Sequence, residues 1–235
     1  MQNQNIVSRE EWLEARRKLL QEEKNFTRLR DQLSQKRRNL PWVKVDKEYS
    51  FEGPDGRQKL ADLFEDKSQL IVYHFMYGPD WEEACPSCSF WADNFNGIDI
   101  HLRHRDAILV AISRASFEQL QACKKRMGWD FKWLSSQGSD FNYDYQASFT
   151  ADEMESGKMF YNFNMGSFPA DESPGVSVFY RSPDGEVFHS YSCYARGLDM
   201  LNGAYQYMDL LPKGRDEDDL EFTMAWLRRH DQYAD

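Results

Sequence analysis

The chain has 235 residues and carries 29 basic against 39 acidic side chains, which gives a net charge of −10. Its 41% hydrophobic and 15% aromatic residues can bury a sizeable core, so disorder throughout is excluded. The acidic balance disfavours nucleic acid as a partner, because binding to the phosphate backbone depends on clustered basic residues. No apolar run is long enough to span a membrane and no secretory signal is visible, so we expect a cytoplasmic protein without a membrane partner.

Residues 8–39 predict a single long helix. Ser8 followed by Glu11 fits a capping box, in which each side chain bonds the other residue's backbone N–H. At 1.5 Å per residue the helix is about 45–50 Å long, longer than a small domain is wide. We expect residues 1–41 to form an N-terminal helical arm, with homo-oligomerisation through residues 8–39 as one hypothesis. An apolar stripe recurs along it every seven residues, formed by Trp12, Leu19, Phe26 and Leu33.

Beyond the arm, the sequence alternates between predicted strands and helices. Gln69–Met76 and Ala107–Ile112 read as buried strands, and each is followed by apolar residues at helical spacing. Val176–Arg181 and Glu186–Tyr191 flank a Ser-Pro-Asp-Gly turn and predict a hairpin. A parallel β-helix-β core followed by an antiparallel hairpin is the thioredoxin arrangement. Residues 42–211 therefore predict an α/β, thioredoxin-like sandwich.

Other segments complete the domain plan. The spacing of apolar residues from Trp91 to Leu102 predicts one helix. Residues 137–170 fit no regular element, and their many aromatic side chains predict a packed, irregular excursion. Leu198–Leu211 reads as a helix. Residues 212–235 are expected to form an acidic C-terminal tail that ends in a short amphipathic helix, around Phe222, Trp226 and Leu227.

A pair of cysteines follows the first buried strand. The motif CPSC at residues 85–88 opens a predicted helix, a context in which a C-x-x-C pair is typical of a redox dithiol. The partial positive charge at a helix N-terminus lowers a thiol pKa, and a second thiol one turn inside resolves a mixed disulfide. Cys85 is therefore the predicted attacking thiol and Cys88 the resolving thiol. Cys123 and Cys193 stand apart in the sequence and receive no role.

Two other interpretations of the pair stay open. Together with His101 and His104 it nearly reproduces a zinc-finger spacing, but only two residues separate the histidines instead of about three to five. The hairpin of a zinc finger is also missing, because the intervening residues read as helix. The pair also fits two buried, inert thiols. The strand-to-helix context favours the redox dithiol, so we predict neither a metal nor a cofactor.

Several long segments carry a family resemblance. They are CPSCSFWADNFNG, KKRMGW, SSQGSDFNYD and SPGVSVFYRSPDGEVFHSYSCYARGLDML, which begin at residues 85, 124, 135 and 173. Along most of its length the chain resembles a bacterial family of unknown function, whose thioredoxin-like members are described as predicted dithiol-disulfide oxidoreductases. The resemblance implies a thiol-disulfide oxidoreductase that acts on a disulfide-containing protein or a small-molecule thiol substrate.

A looser similarity to thioredoxins proper implies two more site residues. Pro174 precedes the strand of the hairpin, where thioredoxins have a cis-proline whose backbone binds substrate beside the dithiol; an ordinary trans-proline turn is the alternative. His74 occupies a place similar to the buried acid of thioredoxins. A neutral imidazole there would take the proton from Cys88 as it attacks, and a core histidine with satisfied hydrogen bonds is the alternative.

Trp81 and Arg114 are the remaining candidates for substrate binding. The tryptophan that abuts the dithiol in thioredoxins is displaced here to Trp81, four residues before Cys85, where it would cap a differently shaped pocket. Arg114 follows the second buried strand and would lower a thiolate pKa, with a structural arginine as the alternative. The proline and threonine of peroxiredoxins are replaced by Gly78 and Glu82, so the peroxiredoxin motif is absent.

A second functional hypothesis is a non-catalytic interaction protein. Many proteins keep a fold after losing its chemistry. On this hypothesis the thioredoxin-like scaffold dimerises through its N-terminal helix. Cys85 would then have an ordinary thiol pKa of about 8.5.

Overall fold

The computed structural model describes residues 5–233. The chain divides into two units, Met1–Pro41 and Trp42–Asp235. Helix α1 (Arg9–Arg38) makes up most of the first unit, and none of its residues is buried. The predicted capping box is present, with Glu11 N donating to Ser8 Oγ at 3.2 Å and Ser8 N donating to Glu11 Oε2 at 2.9 Å. Within the described range, no helix combines the length and the hydropathy needed to cross a membrane.

The strands of the second unit form a large mixed sheet and a small hairpin. The hairpin consists of β7 and β8, and the order across the large sheet is β1-β10-β9-β4-β5-β6-β2-β3. The bounds are β1 (Val43–Lys44), β2 (Ser50–Gly53), β3 (Gly56–Lys59), β4 (Gln69–His74), β5 (Ala107–Ser113), β6 (Lys132–Ser135), β7 (Met159–Tyr161), β8 (Asn164–Gly166), β9 (Gly175–Arg181) and β10 (Val187–Tyr194).

Short helices connect these strands. Two of them lie between β4 and β5, one lies between β5 and β6, and the others follow β6 and β10. Their bounds are α2 (Pro86–Ala92), α3 (Ile98–Arg103), α4 (Phe117–Arg126), α5 (Phe141–Asp144), α6 (Ala151–Ser156) and α7 (Gly203–Met208). Short 3-10 helices are formed by Leu60–Phe64, Ala195–Leu201 and His230–Gln232.

The central strands have the predicted thioredoxin-like arrangement. β4 pairs in parallel with β5, and β5 with β6. β9 pairs antiparallel with β4 on one side and with β10 on the other. Parallel neighbours need a crossover connection, which α2 and α3 provide between β4 and β5. The predicted α/β sandwich with a long N-terminal helix is confirmed.

The sheet buries a separate hydrophobic cluster on each face. Because side chains alternate along a strand, Tyr73 faces one cluster whereas Leu70 and Val72 face the other. The first cluster also contains Cys88 and Trp91 of α2. One face of β4 is therefore next to the cysteine pair, and the other face is separated from it by the sheet.

The predicted helix from Trp91 to Leu102 is interrupted. α2 ends at Ala92, and α3 begins at Ile98 after Gly97, whose φ is 83°. Glycine adopts this left-handed backbone without the steric cost of a Cβ atom. The chain therefore turns at this point, although the apolar spacing continues through it.

Three other segments differ from their predicted form. Residues 137–170 contain α5, α6 and the β7–β8 hairpin, so the excursion is more regular than expected. Leu198–Leu211 is divided between the end of a 3-10 helix and α7. Residues 222–227 form bends and turns where a helix was expected. Side-chain contacts hold this segment in place of helical bonds, as where Trp226 Nε1 donates to Glu217 Oε1 at 2.7 Å.

Candidate active site

The two cysteines lie at the start of α2, after the loop that leaves β4. Cys85 is the N-cap residue, and Pro86 occupies the first turn, where its missing N–H costs no hydrogen bond. Cys85 N donates to the Met76 carbonyl at 3.1 Å, and Met76 N donates to Cys88 Sγ at 3.4 Å. These bonds fix the pair to the end of the strand. Cys85 is half-buried and Cys88 is buried.

Hydrogen bonds and burial shift the pKa values of the two thiols in opposite directions. The Cys88 thiol donates to the Cys85 sulfur, and together with the backbone N–H groups of Cys88 and Ser87 it lowers the pKa of Cys85 to about 7, against an opposing effect of burial. Burial and the neighbouring Cys85 raise the pKa of Cys88 well above its usual value. About half of the Cys85 thiols are therefore charged near pH 7, against a few per cent for a thiol with a pKa of about 8.5.

A tyrosine of β4 lies next to the dithiol. Tyr73 is 1% exposed, and its hydroxyl has the Cys88 thiol as its hydrogen-bonding neighbour. Burial, and then the nearby Cys88, raise the pKa of Tyr73, so the hydroxyl keeps its proton. Tyr73 in return lowers the pKa of Cys88, which places the two groups close together. Tyr73 is thus a candidate residue that the sequence analysis did not single out.

His74 lies on the opposite face of the sheet from the dithiol. Its Nε2 is 2.8 Å from Ser177 Oγ, and its ring stacks on Phe141 with 5.5 Å between the centroids. Burial, with a smaller effect of His189, lowers the pKa of His74 to about 3, so the imidazole is neutral. The interpretation of His74 as the base that takes the proton from Cys88 is wrong, because adjacent residues of a strand face opposite sides.

Pro174 borders the site through a trans peptide bond. No peptide bond in residues 5–233 is cis, so the similarity to the thioredoxin cis-proline does not extend to its geometry. The Tyr161 hydroxyl donates to the Pro174 carbonyl at 2.9 Å. The backbone contact of this residue with substrate stays a prediction. Pro174 does line the same cavity as Cys88.

Arg114 is committed to two carboxylates. Its Nη2 donates to Asp171 Oδ2 at 2.8 Å, and its Nε donates to the buried Glu172 carboxylate. Burial raises the pKa of Glu172 to about 7, against the opposing effect of Arg114. The low pKa of Cys85 depends on Cys88 and backbone N–H groups instead. Arg114 is therefore a structural arginine, and its expected role of lowering a thiolate pKa is not supported.

Trp81 packs on its own loop and is tied to the same network. Its Nε1 donates to Asp171 Oδ1 at 3.1 Å. The indole lies over Gly78, where an added Cβ atom would come within 2.9 Å of the ring. Trp81 also packs against the hydrophobic cluster that contains Cys88. It stabilises the loop before the dithiol, and it does not line the cavity described next.

A cavity of about 280 Å³ opens beside the dithiol. Ser87 and Cys88 border it at the start of α2, and Tyr73 borders it from β4. Segments far apart in the sequence supply much of the remaining wall, among them Tyr161, Leu198, Tyr205 and Met224. The only sequence signal for this wall is the density of aromatic residues in 137–170, which carries no information on what those residues face.

The C-terminal segment is attached to the residue that precedes Cys85. Arg229 is 7% exposed, and its Nε donates to the Ala84 carbonyl at 3.1 Å. Its Nη1 donates to Glu83 Oε2 at 2.6 Å. This contact joins residues 145 positions apart, so no local pattern predicts it. Arg229 thereby fixes the loop that carries Cys85.

The zinc alternative finds no ligand set in the part of the chain that the structure describes. His101 lies on α3 and His104 at its C-terminal cap, and both are exposed. Among residues 5–233, no group of three or more His, Cys, Asp or Glu side chains is arranged to hold a metal ion.

Comparison with solved structures finds peroxiredoxins and a thiol:disulfide interchange protein. A cysteine-to-serine mutant of Xylella fastidiosa PrxQ is 11% identical, with coverage of 72% of this chain and 96% of that one and a TM-score of 0.43. Xanthomonas campestris bacterioferritin comigratory protein is 16% identical, with 72% and 96% covered and a TM-score of 0.44. A putative DsbE from Chlorobium tepidum is 12% identical, with 72% and 95% covered and a TM-score of 0.42. Likeness at this level does not transfer an activity.

The sequence comparisons identify a family but no individual curated relative. Among curated proteins, none matches the chain. A bacterial family does match, over residues 1–233, which is nearly the whole sequence. This match agrees with the resemblance of the segments around the CPSC motif and the hairpin. The chain belongs to the family described as "Bacterial protein of unknown function (DUF899)".

Proposed function

We propose that the protein is a thiol-disulfide oxidoreductase that acts through Cys85 and Cys88. The observation that carries the proposal is the asymmetry of the pair at the start of α2. Cys85 is half-buried and its thiolate is stabilised by donors from Cys88 and Ser87, whereas Cys88 is buried and keeps its proton. An attacking thiol has to be a thiolate and accessible, and a resolving thiol has to be shielded until the first step is complete.

The proposed exchange has two steps. The Cys85 thiolate attacks one sulfur of a substrate disulfide, forms a mixed disulfide and releases the other sulfur as a thiolate. Cys88 then attacks the Cys85 sulfur, and its proton passes to the second departing thiolate. The protein dithiol is oxidised to a disulfide, and the substrate disulfide is reduced to one thiol and one thiolate, which takes up a proton from water. The Tyr73 hydroxyl is placed to donate a hydrogen bond to Cys88 as its sulfur becomes charged.

The proposed substrate is a disulfide of a protein or of a small molecule, with a thiol as the electron donor. We place the reaction in the cytoplasm as part of the same proposal. Four cysteines in 235 residues are too few for the disulfide framework that is common in small extracellular domains. A reducing compartment would also keep the dithiol ready to attack.

Insulin reduction with dithiothreitol as the donor tests the proposal. The wild-type protein is expected to accelerate the reaction, and Cys85→Ser to abolish the acceleration. Cys88→Ser is expected to accumulate mixed disulfides on Cys85, because the resolving attack is lost. Cys123→Ser is the matched control, since burial raises the pKa of Cys123 and makes it a poor nucleophile. Unchanged exchange activity in Cys85→Ser would contradict the proposal.

We also propose that α1 mediates self-association. Its stripe residues are exposed, for example Trp12 at 54% and Phe26 at 67%. Apolar residues that recur every seven positions along a helix are typical of a coiled-coil seam, which is buried by a second helix. We propose that a second copy of this 30-residue helix covers the stripe.

The mass of the full chain measured by light scattering tests the second proposal. We expect a dimer for the wild type and a monomer for Phe26→Glu, which places a charge in the seam. Thr27→Glu adds the same charge on the neighbouring position outside the stripe and is expected to remain dimeric. A monomeric wild-type protein would refute self-association through α1.

A further inference from the structure

We infer that the cavity beside Cys88 is the binding site for a small, uncharged organic disulfide, held with its sulfur atoms next to the dithiol. This inference rests on the proposed function, because it names the substrate class of the same site. It follows from the position, size, wall chemistry and closure of the cavity.

The cavity is of a size for a small molecule and has a mainly apolar wall. Its volume of about 280 Å³ lies at the lower end of the range of ligand pockets, about 300–1,000 Å³. An apolar wall favours a ligand with aromatic or aliphatic groups, because transfer of apolar surface out of water is favourable. The wall includes Trp91, Tyr161, Phe168, Leu198, Tyr205 and Met224.

A buried tyrosine and the buried thiol indicate where the sulfur atoms of the ligand lie. Tyr73 and Cys88 both border the cavity. The Tyr73 hydroxyl lies beside the Cys88 thiol, which is its hydrogen-bonding neighbour. Buried polar groups are nearly always hydrogen-bonded, and this pair is the polar part of a wall that is otherwise mainly apolar. A sulfur atom of a bound disulfide would lie next to these two groups, beside the dithiol.

The charged residues at the edge of the cavity are already paired. Arg215 contacts Asp199 at 2.9 Å and Asp209 at 2.8 Å, and its guanidinium lies 3.9 Å from the centroid of Tyr205. Arg196 contacts Asp199 at 3.2 Å. Both cations are therefore balanced by carboxylates. The edge therefore offers little attraction to an anionic disulfide such as glutathione disulfide, and it fits a disulfide with uncharged groups.

The C-terminal segment closes one side of the cavity. Thr223 and Met224 line it, and Arg229 ties the same segment to the Ala84 carbonyl. Leu227, between them, is 4% exposed and fixes the segment to the domain. A fixed wall of this kind admits a small molecule more readily than a loop of a folded protein, which would have to displace it.

The chemistry is the proposed exchange applied to a disulfide R–S–S–R. The Cys85 thiolate breaks the S–S bond, becomes Cys85–S–S–R and releases R–S⁻. Cys88 then displaces the second R–S⁻, which takes up the Cys88 proton. Two electrons pass from the protein dithiol to the organic disulfide, which leaves as two thiols after protonation. Dithiothreitol returns the protein to its reduced form in the assay.

Binding is measured without chemistry, so that it is independent of the proposed function. The Cys85→Ser protein is titrated by calorimetry with 1,2-di(2-pyridyl)ethane, the carbon analogue of 2,2′-dithiodipyridine. We expect saturable binding that Leu198→Trp, which fills the cavity, weakens by about tenfold or more. Leu210→Trp, the same substitution at an exposed position, is the matched control and should bind normally. If Leu198→Trp does not fold, as judged by circular dichroism, Thr223→Trp fills the cavity from the C-terminal segment.

Exchange is then measured with the cysteines intact. The oxidation rate of the reduced protein by 2,2′-dithiodipyridine is expected to saturate with concentration and to fall about tenfold in Leu198→Trp. Alkylation of Cys85 by iodoacetamide should change little in that variant, which shows that the thiol itself is unaffected. Glutathione disulfide is expected to react without saturation.

The outcomes separate the two proposals. Equal binding of the carbon analogue by the Cys85→Ser protein and by its cavity-filled variant, or no binding at all, would overturn the cavity assignment even if insulin is reduced. Binding of the analogue without exchange with any disulfide would overturn the disulfide as its occupant and also the proposed function. Saturable exchange that is lost together with binding supports both.

Discussion

The hydrogen bond from the Cys88 thiol makes the largest contribution to the low pKa of Cys85. Cys88→Ala removes this donor and leaves the backbone N–H groups of Ser87 and residue 88 in place. The Cys85 thiolate loses stabilisation while the thiol does not, so its pKa is expected to rise. Cys88→Ser keeps a hydroxyl donor at nearly the same position and is the matched control.

The size of the effect follows from the exposure of Cys85. A hydrogen bond to a charged group contributes about 1.5–3 kcal/mol. Because Cys85 is half-buried, water replaces part of the lost bond, so we expect a net loss of about 1.4 kcal/mol, equivalent to about one pH unit. The thiolate fraction at pH 7 then falls from about a half to about a tenth, and the alkylation rate falls about fivefold.

The assay is the rate of iodoacetamide alkylation of Cys85, followed from about pH 5 to about pH 10 in a Cys123→Ser background. The midpoint of the profile should move upward in Cys88→Ala and should stay close to the wild type in Cys88→Ser. An identical midpoint in all three proteins would refute the reasoning. It would mean that the backbone N–H groups alone stabilise the thiolate.

Three further predictions concern the surroundings of the dithiol. Arg229→Gln should lower the free energy of unfolding in urea by about 2–4 kcal/mol, because it breaks a buried, charged contact, whereas exposed Arg105→Gln should change it by less than about 0.5 kcal/mol. Neutral His74 binds no proton until about pH 3 in the folded state but titrates near 6.5 when unfolded. As the pH is lowered from 6.5 to about 3, the free energy of unfolding of the wild type should therefore fall more steeply than that of His74→Asn. Urea titrations at each pH measure both. Gly78→Ala should displace the Trp81 indole and lower the free energy of unfolding by about 1–3 kcal/mol. Tryptophan fluorescence and urea titration measure the two effects.

Much of the fold was predictable because its signals are local. A capping box, a Ser-Pro-Asp-Gly turn and two buried strands each depend on residues that are close in sequence. The helices between the buried strands then supply the crossover connection that parallel neighbours need. The motif CPSC belongs to the same class of signal, since its meaning comes from the strand before it and the helix after it.

The sequence does not show which of Tyr73 and His74 faces the dithiol. β4 is buried on both faces, so its residues show no alternation of apolar and polar types from which to read the side that each one faces. A shift of one residue along the strand then moves a side chain from the dithiol face to the opposite face. Chemistry favoured His74 as a proton acceptor, and the register of the strand places Tyr73 at the thiols instead.

The cavity and its closing segment were missed for a different reason. Tyr161, Leu198 and Met224 meet only in the folded chain, and no spacing rule connects them. The tail was expected to form a helix because its apolar residues recur at helical spacing. In the structure the bonds of Trp226 to Glu217 and of Arg229 to Ala84 determine its path. Such contacts are long-range, and a local pattern does not encode them.

The ionisable groups around the dithiol have pKa values shifted in opposite directions. Where neighbouring groups have pKa values pushed apart, the group that loses its proton acts as base or nucleophile and the group that keeps it acts as acid. Here the pKa of Cys85 is lowered, whereas those of Cys88 and Tyr73 are raised. Both groups that keep their protons line the cavity. A thiolate released there would meet two hydrogen-bond donors, which would stabilise its charge and favour its departure.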